Sequence, residues 1–235
     1  MRLIMIVAVM GVFVSARPCA ARGPLPLSAP VPSDSQLSSR WAISGGMGVE
    51  YLSLPDVVDF VNGVSAQFGA VTRVPDFRAG VEFFGTLAYP LSEDWVLKGE
   101  YVFLLASYNP NIPYGPSDFT LAIHIPTLIL QYVLWDERLY DVKVGCGLGY
   151  HAASLSTKYS LVDDRLTGNG PGVVFDAEGN NALGDHLFVY VGGEARFEFI
   201  GRLKSSGSAA RPGLLALPTG NGFGIGARLG LSYYF

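Results

Sequence analysis

From Trp41 to the final residue, apolar and polar side chains alternate with a period of two in one segment after another. This period puts successive side chains on opposite faces of an extended chain, so it predicts β-strands and not helices, whose period is 3.6 residues. No apolar run in this region reaches the roughly 20 residues that a membrane-spanning helix needs. Seven segments alternate clearly, and they cover residues 41–53, 77–89, 95–105, 118–133, 139–161, 186–199 and 223–235.

The fourth segment changes the phase of its alternation near Pro126. Phe119 and Ile123 are apolar at odd positions before the proline, whereas Leu128 and Tyr132 are apolar at even positions after it. One inserted residue would bring both sets to the same face, and proline is tolerated at bulges because it has no N–H to donate. The sequence therefore predicts a β-bulge at Pro126.

The surface of this chain is expected to contact something other than water. Only 15% of the residues are charged and the mean hydropathy is +0.32, whereas soluble domains have about 25% charged residues. The net charge is -4 and the basic residues form no block, so the sequence does not predict nucleic acid as a partner.

The N-terminus has the three parts of a secretory signal peptide. Arg2 supplies the positive charge, residues 3–14 form a short apolar stretch, and small residues allow cleavage after Ala16 or Ala21. We therefore expect a signal peptide over 1–21, a proline-rich tail over 22–40 and a barrel domain over 41–235.

Alternation fits a soluble sandwich as well as a membrane barrel, but the spacing of the connections favours the barrel. Short connections at 90–94 and 134–138 alternate with long ones at 54–76, 108–117 and 152–185. Bacterial outer-membrane barrels have short periplasmic turns and long outer loops, and their strands turn the apolar face to lipid. The polar face here is rich in glycine, as a narrow lumen requires. The sequence predicts an all-β fold, a single closed antiparallel transmembrane β-barrel.

Aromatic residues collect at the strand ends that this topology places on the periplasmic side, where amphipathic rings favour the headgroup zone. They are Trp41, Tyr89, Trp95, Trp135, Tyr140 and Phe235.

Single-chain bacterial barrels have an even number of strands, so an eighth strand is expected. It lies in 200–221 or in 153–182, neither of which alternates cleanly. In residues 54–70, the valines are near helical spacing and predict a short helix that caps the outer mouth or folds inward as a plug.

Eleven charged residues lie on the polar face of the predicted strands and form a predicted lumen charge network. They are Glu50, Arg78, Glu82, Lys98, Glu100, Asp141, Lys143, Glu194, Arg196, Glu198 and Arg228. Six are acidic and five are basic, so this set is nearly neutral. A charge in a confined interior is costly unless it is paired, and a barrel of about eight strands is just filled by side chains. We expect a salt-bridged, closed lumen.

The final strand carries alternating apolar residues up to a terminal aromatic: Leu229, Leu231, Tyr233 and Phe235. This ending resembles the C-terminal assembly signal of bacterial outer-membrane proteins, and the pattern over 41–235 resembles the small eight-stranded outer-membrane β-barrel proteins of Gram-negative bacteria. The resemblance implies insertion into the cell outer membrane by the barrel assembly machinery. Outer-membrane lipid is then a partner, and we expect a monomer.

Three functions are compatible with such a barrel. We favour a non-enzymatic protein with a structural or surface-interaction role through its outer loops; a narrow porin-like conduit for small solutes is the alternative. A lipid-modifying enzyme is the third, with His151 beside Ser154 or Ser156 and a remote Glu. Residues 152–185 contain several acidic side chains of the kind that binds Ca²⁺, but their spacing is not that of a regular Ca²⁺ site. No metal or cofactor is therefore expected. They are Asp163, Asp164, Asp176, Glu178 and Asp185.

Overall fold

The computed structural model describes residues 37–70, 72–110, 117–159, 162–205 and 217–235, so the predicted signal peptide and most of the proline-rich tail lie outside the described residues. A 3-10 turn, Leu37–Ser39, precedes the barrel. The elements that follow are β1 (Ala42–Ser53), α1 (Pro55–Gln67), β2 (Phe77–Pro90), β3 (Trp95–Tyr108), β4 (Ser117–Glu137), β5 (Tyr140–Tyr159), β6 (Val162–Ala182), β7 (Leu187–Arg202), β8 (Lys204–Ser205) and β9 (Thr219–Tyr234).

Eight long strands form one closed antiparallel sheet in the order β5-β4-β3-β2-β1-β9-β7-β6, and β5 pairs with β6 to complete the ring. The seam between the first and last strands runs from the pair Ala42↔Tyr234 to the pair Ser53↔Phe223. The two-residue β8 adds to β6 outside the ring. Each of the eight long strands has a neighbouring strand on both sides in this ring, and the predicted fold class is confirmed. Among the described residues, the one α-helix is too short to cross a bilayer.

The eighth strand is β6, which lies in the second of the two predicted ranges. It pairs with β5 from Tyr140↔Asn181 to Tyr159↔Val162, so the two strands form a long hairpin. The prediction of a long loop over 152–185 is therefore wrong; residues 160 and 161, which join the strands, lie outside the described residues. Glycines at the inward positions 168, 170 and 172 hid the alternation, because they contribute no side chain to the inner face.

Strand β4 keeps one phase along its length, so the predicted bulge at Pro126 is wrong. Phe119 and Ile123 point into the barrel and are fully buried. The register with β5 is unchanged across the proline, from His124↔Ala152 to Thr127↔Gly149, and it shifts instead between Val133 and Trp135. The apolar residues before Pro126 fill the interior, whereas those after it face outwards.

Helix α1 closes the end of the barrel away from the start of β1 and the end of β9, as predicted for residues 54–70. It begins with a proline in its first turn, where the missing N–H is not needed. Val57, Val58 and Val61 are fully buried, and they belong to an apolar cluster with inward residues of β3, β4 and β5. The helix ends before Gly69, whose φ of 80° suits a residue that follows a helix C-terminus.

A second apolar cluster closes the other end. Leu37 of the 3-10 turn is 3% exposed and packs with inward residues that include Val96, Phe188 and Tyr234. Its backbone N–H donates to Asp136 Oδ1 at 2.9 Å, which fastens the turn to the end of β4. Part of the segment that the sequence placed in the tail therefore packs against the barrel.

Candidate functional site

Between the two apolar ends, charged side chains fill the lumen. Of the residues that the structure describes, eight buried carboxylates and four buried Lys or Arg residues face inwards, together with His151. The near-neutral balance predicted from the sequence is therefore wrong. The difference comes from Asp176 and Glu178, which lie on β6 and which the sequence placed in a loop, and from Arg78, which is not buried.

Two arginines organise the central layer of the lumen. Arg196 on β7 contacts Glu50 at 2.5 Å and Glu82 at 2.8 Å, and it also pairs with Glu194. Arg228 on β9 contacts Glu82 at 2.7 Å and Glu194 at 2.6 Å. Each guanidinium carries several N–H donors in a fixed fork, so one arginine can satisfy more than one carboxylate.

Arg228 also contacts Glu100 at 2.7 Å, and Glu100 lies 3.7 Å from Lys98. The central layer therefore joins a second layer, which is nearer the start of β1 and the end of β9. There, Lys98 Nζ donates to Asp176 and Glu178, both at 2.8 Å. In both layers, a single cation therefore holds two or more carboxylates.

The rest of the second layer is built around Lys143. Its Nζ lies 3.0 Å from Asp141 and 3.6 Å from Glu178. Neutral polar groups complete the network: Asn180 donates to Asp141 at 2.8 Å, and the Tyr234 hydroxyl donates to the same carboxylate at 2.5 Å. Four cations thus contact seven of the eight buried carboxylates, which offsets part of the cost of burying an acidic excess.

The eighth carboxylate, Glu198, lies beside His151, with 3.3 Å between Glu198 Oε1 and His151 Nδ1. Both side chains are buried. Ser154 and Ser156 lie at even positions of β5 and point to the other face of the sheet, where Ser154 accepts a hydrogen bond from Arg165. The structure therefore does not bring together the histidine and serines of the hypothetical lipid-modifying site.

Glycines on the inner face make room for these long side chains. A β-carbon at Gly48 would lie 2.5 Å from Glu82 Oε1, and one at Gly149 would lie 2.8 Å from Thr127 Oγ1 and 3.1 Å from His151 Nε2. The network can form in a narrow barrel because large charged residues on one strand face glycine on the next.

Arg78, which the sequence placed in the lumen network, does not join it. Its side chain is half-buried at the outer end of β2, where Nε donates to the Ser107 carbonyl at 2.8 Å. The guanidinium lies over the Tyr108 ring, 5.8 Å from its centroid. The parity of Arg78 was predicted correctly, but its height along the strand puts it above the charged layers.

The structure argues against the cation sites that its acidic residues suggest. Oxygens of Glu50, Glu82 and Glu194 lie within 4.8 Å of one another, but Arg196 and Arg228 already contact these carboxylates. Two guanidinium groups therefore take the place that a metal ion would need.

The acidic residues of 152–185 do not form one cluster either. Asp176 and Glu178 are in the lumen, Asp164 accepts a hydrogen bond from Ser205, and Asp185 lies in the turn at the opposite end of β6. The side chain of Asp163 lies outside the described residues. These positions do not provide a shared Ca²⁺ site.

The residues of the predicted assembly signal all face outwards, three of them on β9 and Phe235 directly after it. Leu229, Leu231, Tyr233 and Phe235 are 44–62% exposed. The Phe235 N–H donates to the Trp41 carbonyl at 3.0 Å, so the terminal residue lies at the seam with the first strand. Recognition of this segment by the assembly machinery stays a prediction.

Comparison with known proteins identifies the fold. No family model and no curated protein matches this sequence. The structure is similar to that of Neisserial surface protein A, with 13% sequence identity, a TM-score of 0.51, and coverage of 83% of this chain and 97% of that one. It is also similar to the outer membrane protein OprG from Pseudomonas aeruginosa, with 12% identity, a TM-score of 0.50, and coverage of 84% and 96%. This chain therefore has the fold of the small eight-stranded outer-membrane β-barrels.

Proposed function

We propose that this chain is a non-enzymatic integral protein of the bacterial outer membrane. Its barrel is a closed scaffold that carries a structural or surface-interaction role at the outer face, and it is not a conduit for solutes. The observation that carries the proposal is that side chains fill the lumen along its whole described length. The apolar cluster with α1 fills one end, the charged layers fill the middle, and the apolar cluster around Leu37 fills the other end.

The membrane location is supported by the two faces of the sheet. Large apolar side chains are exposed on the outside, among them Leu148 at 71% and Leu229 at 59%, whereas lysines, arginines and carboxylates are buried inside. A soluble barrel would place these sets the other way round. Aromatic pairs at the end of the barrel where β1 starts, such as Trp41 with Tyr89 at 4.9 Å between ring centroids, are suited to a headgroup interface.

The absence of enzyme activity is proposed from the site chemistry, since one fold carries many functions. The clustered carboxylates and His151 lie in the lumen, buried beneath α1, where a lipid or peptide has no approach. The described serines near His151 lie on the opposite face of the strand. We expect deletion of the gene to leave the lipid mass spectrum of the host membrane unchanged.

Single-channel recording tests the closed scaffold. Purified protein whose folding is verified by heat-modifiable migration in a gel is inserted into a planar lipid bilayer. We expect no steady conductance, because the apolar cluster with α1 closes one end of the lumen and the cluster around Leu37 closes the other. Large, stable channels from folded wild-type protein would overturn the scaffold proposal in favour of the conduit. A protein that shows no heat-modifiability would instead count against the membrane barrel itself.

A further inference from the structure

A groove of about 790 Å³ crosses the outer face of the barrel over β1–β5. Its floor includes Gly85 and Gly99, which lie diagonally on neighbouring strands. A β-carbon at Gly85 would meet no atom within 4 Å, and one at Gly99 would meet only the Leu87 carbonyl at 3.9 Å. The packing of the barrel therefore does not require glycine at either position.

The walls of the groove are large apolar side chains that the protein itself leaves uncovered. Leu148 is 71% exposed, Leu128 is 57% exposed and Ile43 is 49% exposed. Glycine weakens a strand, and in a strand it often marks the close approach of a ligand or another backbone. Two such glycines between apolar ridges form a depression suited to an unbranched hydrocarbon chain.

A polar pair lies at the outer end of this groove. Tyr101 lines the groove, and its hydroxyl lies 2.7 Å from His124 Nδ1. His124 faces outwards on β4, eight residues from Tyr132. Tyr132 contacts Trp95 in the aromatic group near the start of β1 and the end of β9. At a rise of about 3.3 Å per residue and a tilt of about 40°, His124 is about 20 Å above that group, near the outer edge of an apolar band about 25 Å tall.

The His124–Tyr101 pair has the chemistry to bind a phosphate. When the Tyr101 hydroxyl donates to Nδ1, the proton of the neutral imidazole is on Nε2, which becomes a donor. Among the described residues, no acceptor for Nε2 is found within hydrogen-bond distance. A phosphate oxygen at the membrane interface would accept this N–H strongly because it is charged. An ionisable residue on a membrane-facing surface is expected to have such a partner.

We propose that the groove binds one phosphate-bearing lipid of the outer leaflet, with an acyl chain over Gly85 and Gly99 and the phosphate at His124 and Tyr101. The proposal rests on the membrane location proposed above. A second copy of this chain fits less well. It would bring His124 into an apolar interface without an acceptor, and a buried donor that is left unsatisfied opposes such an interface.

Native mass spectrometry tests this site. Folded protein in detergent is mixed with equal amounts of dioleoyl phosphatidylglycerol and dioleoylglycerol, which share their chains and differ in the phosphate. We expect wild type to retain one phosphatidylglycerol. Gly85→Leu combined with Gly99→Leu fills the floor and should lose the bound lipid. His124→Ala should lose the preference for phosphatidylglycerol over dioleoylglycerol.

Gly193→Leu is the matched control, because Gly193 also faces outwards but lies on β7, away from the groove, where a β-carbon has its nearest atom at 3.7 Å. It should retain the lipid. The proposal is overturned if the double leucine variant retains phosphatidylglycerol as wild type does, or if wild type appears as a lipid-free dimer. Heat-modifiable migration of each variant shows separately that the barrel has folded, so a failure of the groove is distinguishable from a failure of the membrane proposal.

Discussion

At the scale of the residue, the parity of charged side chains along each strand was enough to predict most of the lumen. Glu50, Glu82 and Arg228 all lie inside, as their alternation indicated. Asp176 and Glu178 were missed because they follow a glycine-rich stretch in which inward positions carry no side chain. Parity also predicts which face of the sheet a side chain points to, but not how far along the barrel axis it lies. Arg78 was therefore assigned to a charge network that lies below it in the barrel.

Replacement of Arg196 by alanine tests the charged layers. Arg196 is fully buried and contacts three carboxylates, so its removal leaves buried negative charge without a partner. We expect a loss of about 3–5 kcal/mol in the free energy of unfolding, measured by denaturant titration in lipid vesicles. Arg78→Ala is the control, since this half-exposed arginine should cost about 1 kcal/mol or less. Equal losses for the two variants would show that the central layer is hydrated and weakly coupled.

For a single strand, β4 shows a case in which the alternation of apolar residues does not predict which face contacts lipid. The rule that apolar residues face lipid holds after Pro126, but before it Phe119 and Ile123 pack against the cluster that also contains α1. The interior changes from charged to apolar along its height, so the same strand alternates with opposite polarity in its two halves. The phase change that suggested a bulge is a change of environment, and only the position of α1 in the fold explains it.

A pair of tryptophan substitutions on β4 tests this assignment. Ile123 is fully buried in the interior, whereas Leu130 is 42% exposed on the outer face. Ile123→Trp should overpack the cluster and lower the free energy of unfolding by about 1–3 kcal/mol. Leu130→Trp should have little effect, because lipid chains can move aside for the larger ring. If both variants unfold like wild type, Ile123 faces lipid and the bulge at Pro126 is the better account.

At the scale of the whole molecule, closure depends on contacts that lie far apart in the sequence. The seam joins β1 to β9, and at its centre Gly46 pairs with Gly230. A β-carbon at Gly46 would lie 2.6 Å from the Gly230 Cα, which is backbone and cannot rotate away. Alternation predicted both strands, but it did not predict this close approach. In the sequence, an inward glycine that contacts a neighbouring backbone cannot be told from one that has free space beside it.

The seam is tested by Gly46→Ala. The added methyl group should force the two strands apart and cost about 1–3 kcal/mol, measured as a shift of the unfolding midpoint in vesicles. Gly85→Ala serves as the control, because a β-carbon there meets nothing within 4 Å. Comparable midpoints for the two variants would mean that the seam has room for a side chain and that its glycines are not needed for closure.

The terminal residue separates assembly in the cell from stability of the folded barrel. Phe235 is 62% exposed, and its backbone N–H makes one hydrogen bond to the Trp41 carbonyl, so its removal takes little from the packed structure. If the segment ending in Phe235 is read by the assembly machinery, its deletion should sharply lower the amount of heat-modifiable protein in outer-membrane fractions. The same variant refolded from urea into vesicles should regain the heat-modifiable form with nearly the yield of wild type, because no assembly factor takes part there.

Leu187→Ala, an outward change at the same end of β7, controls for the loss of one apolar side chain near the membrane interface. Unchanged yield of the Phe235 deletion in cells would contradict the assembly role, and poor refolding in vesicles would show that Phe235 acts by closing the seam.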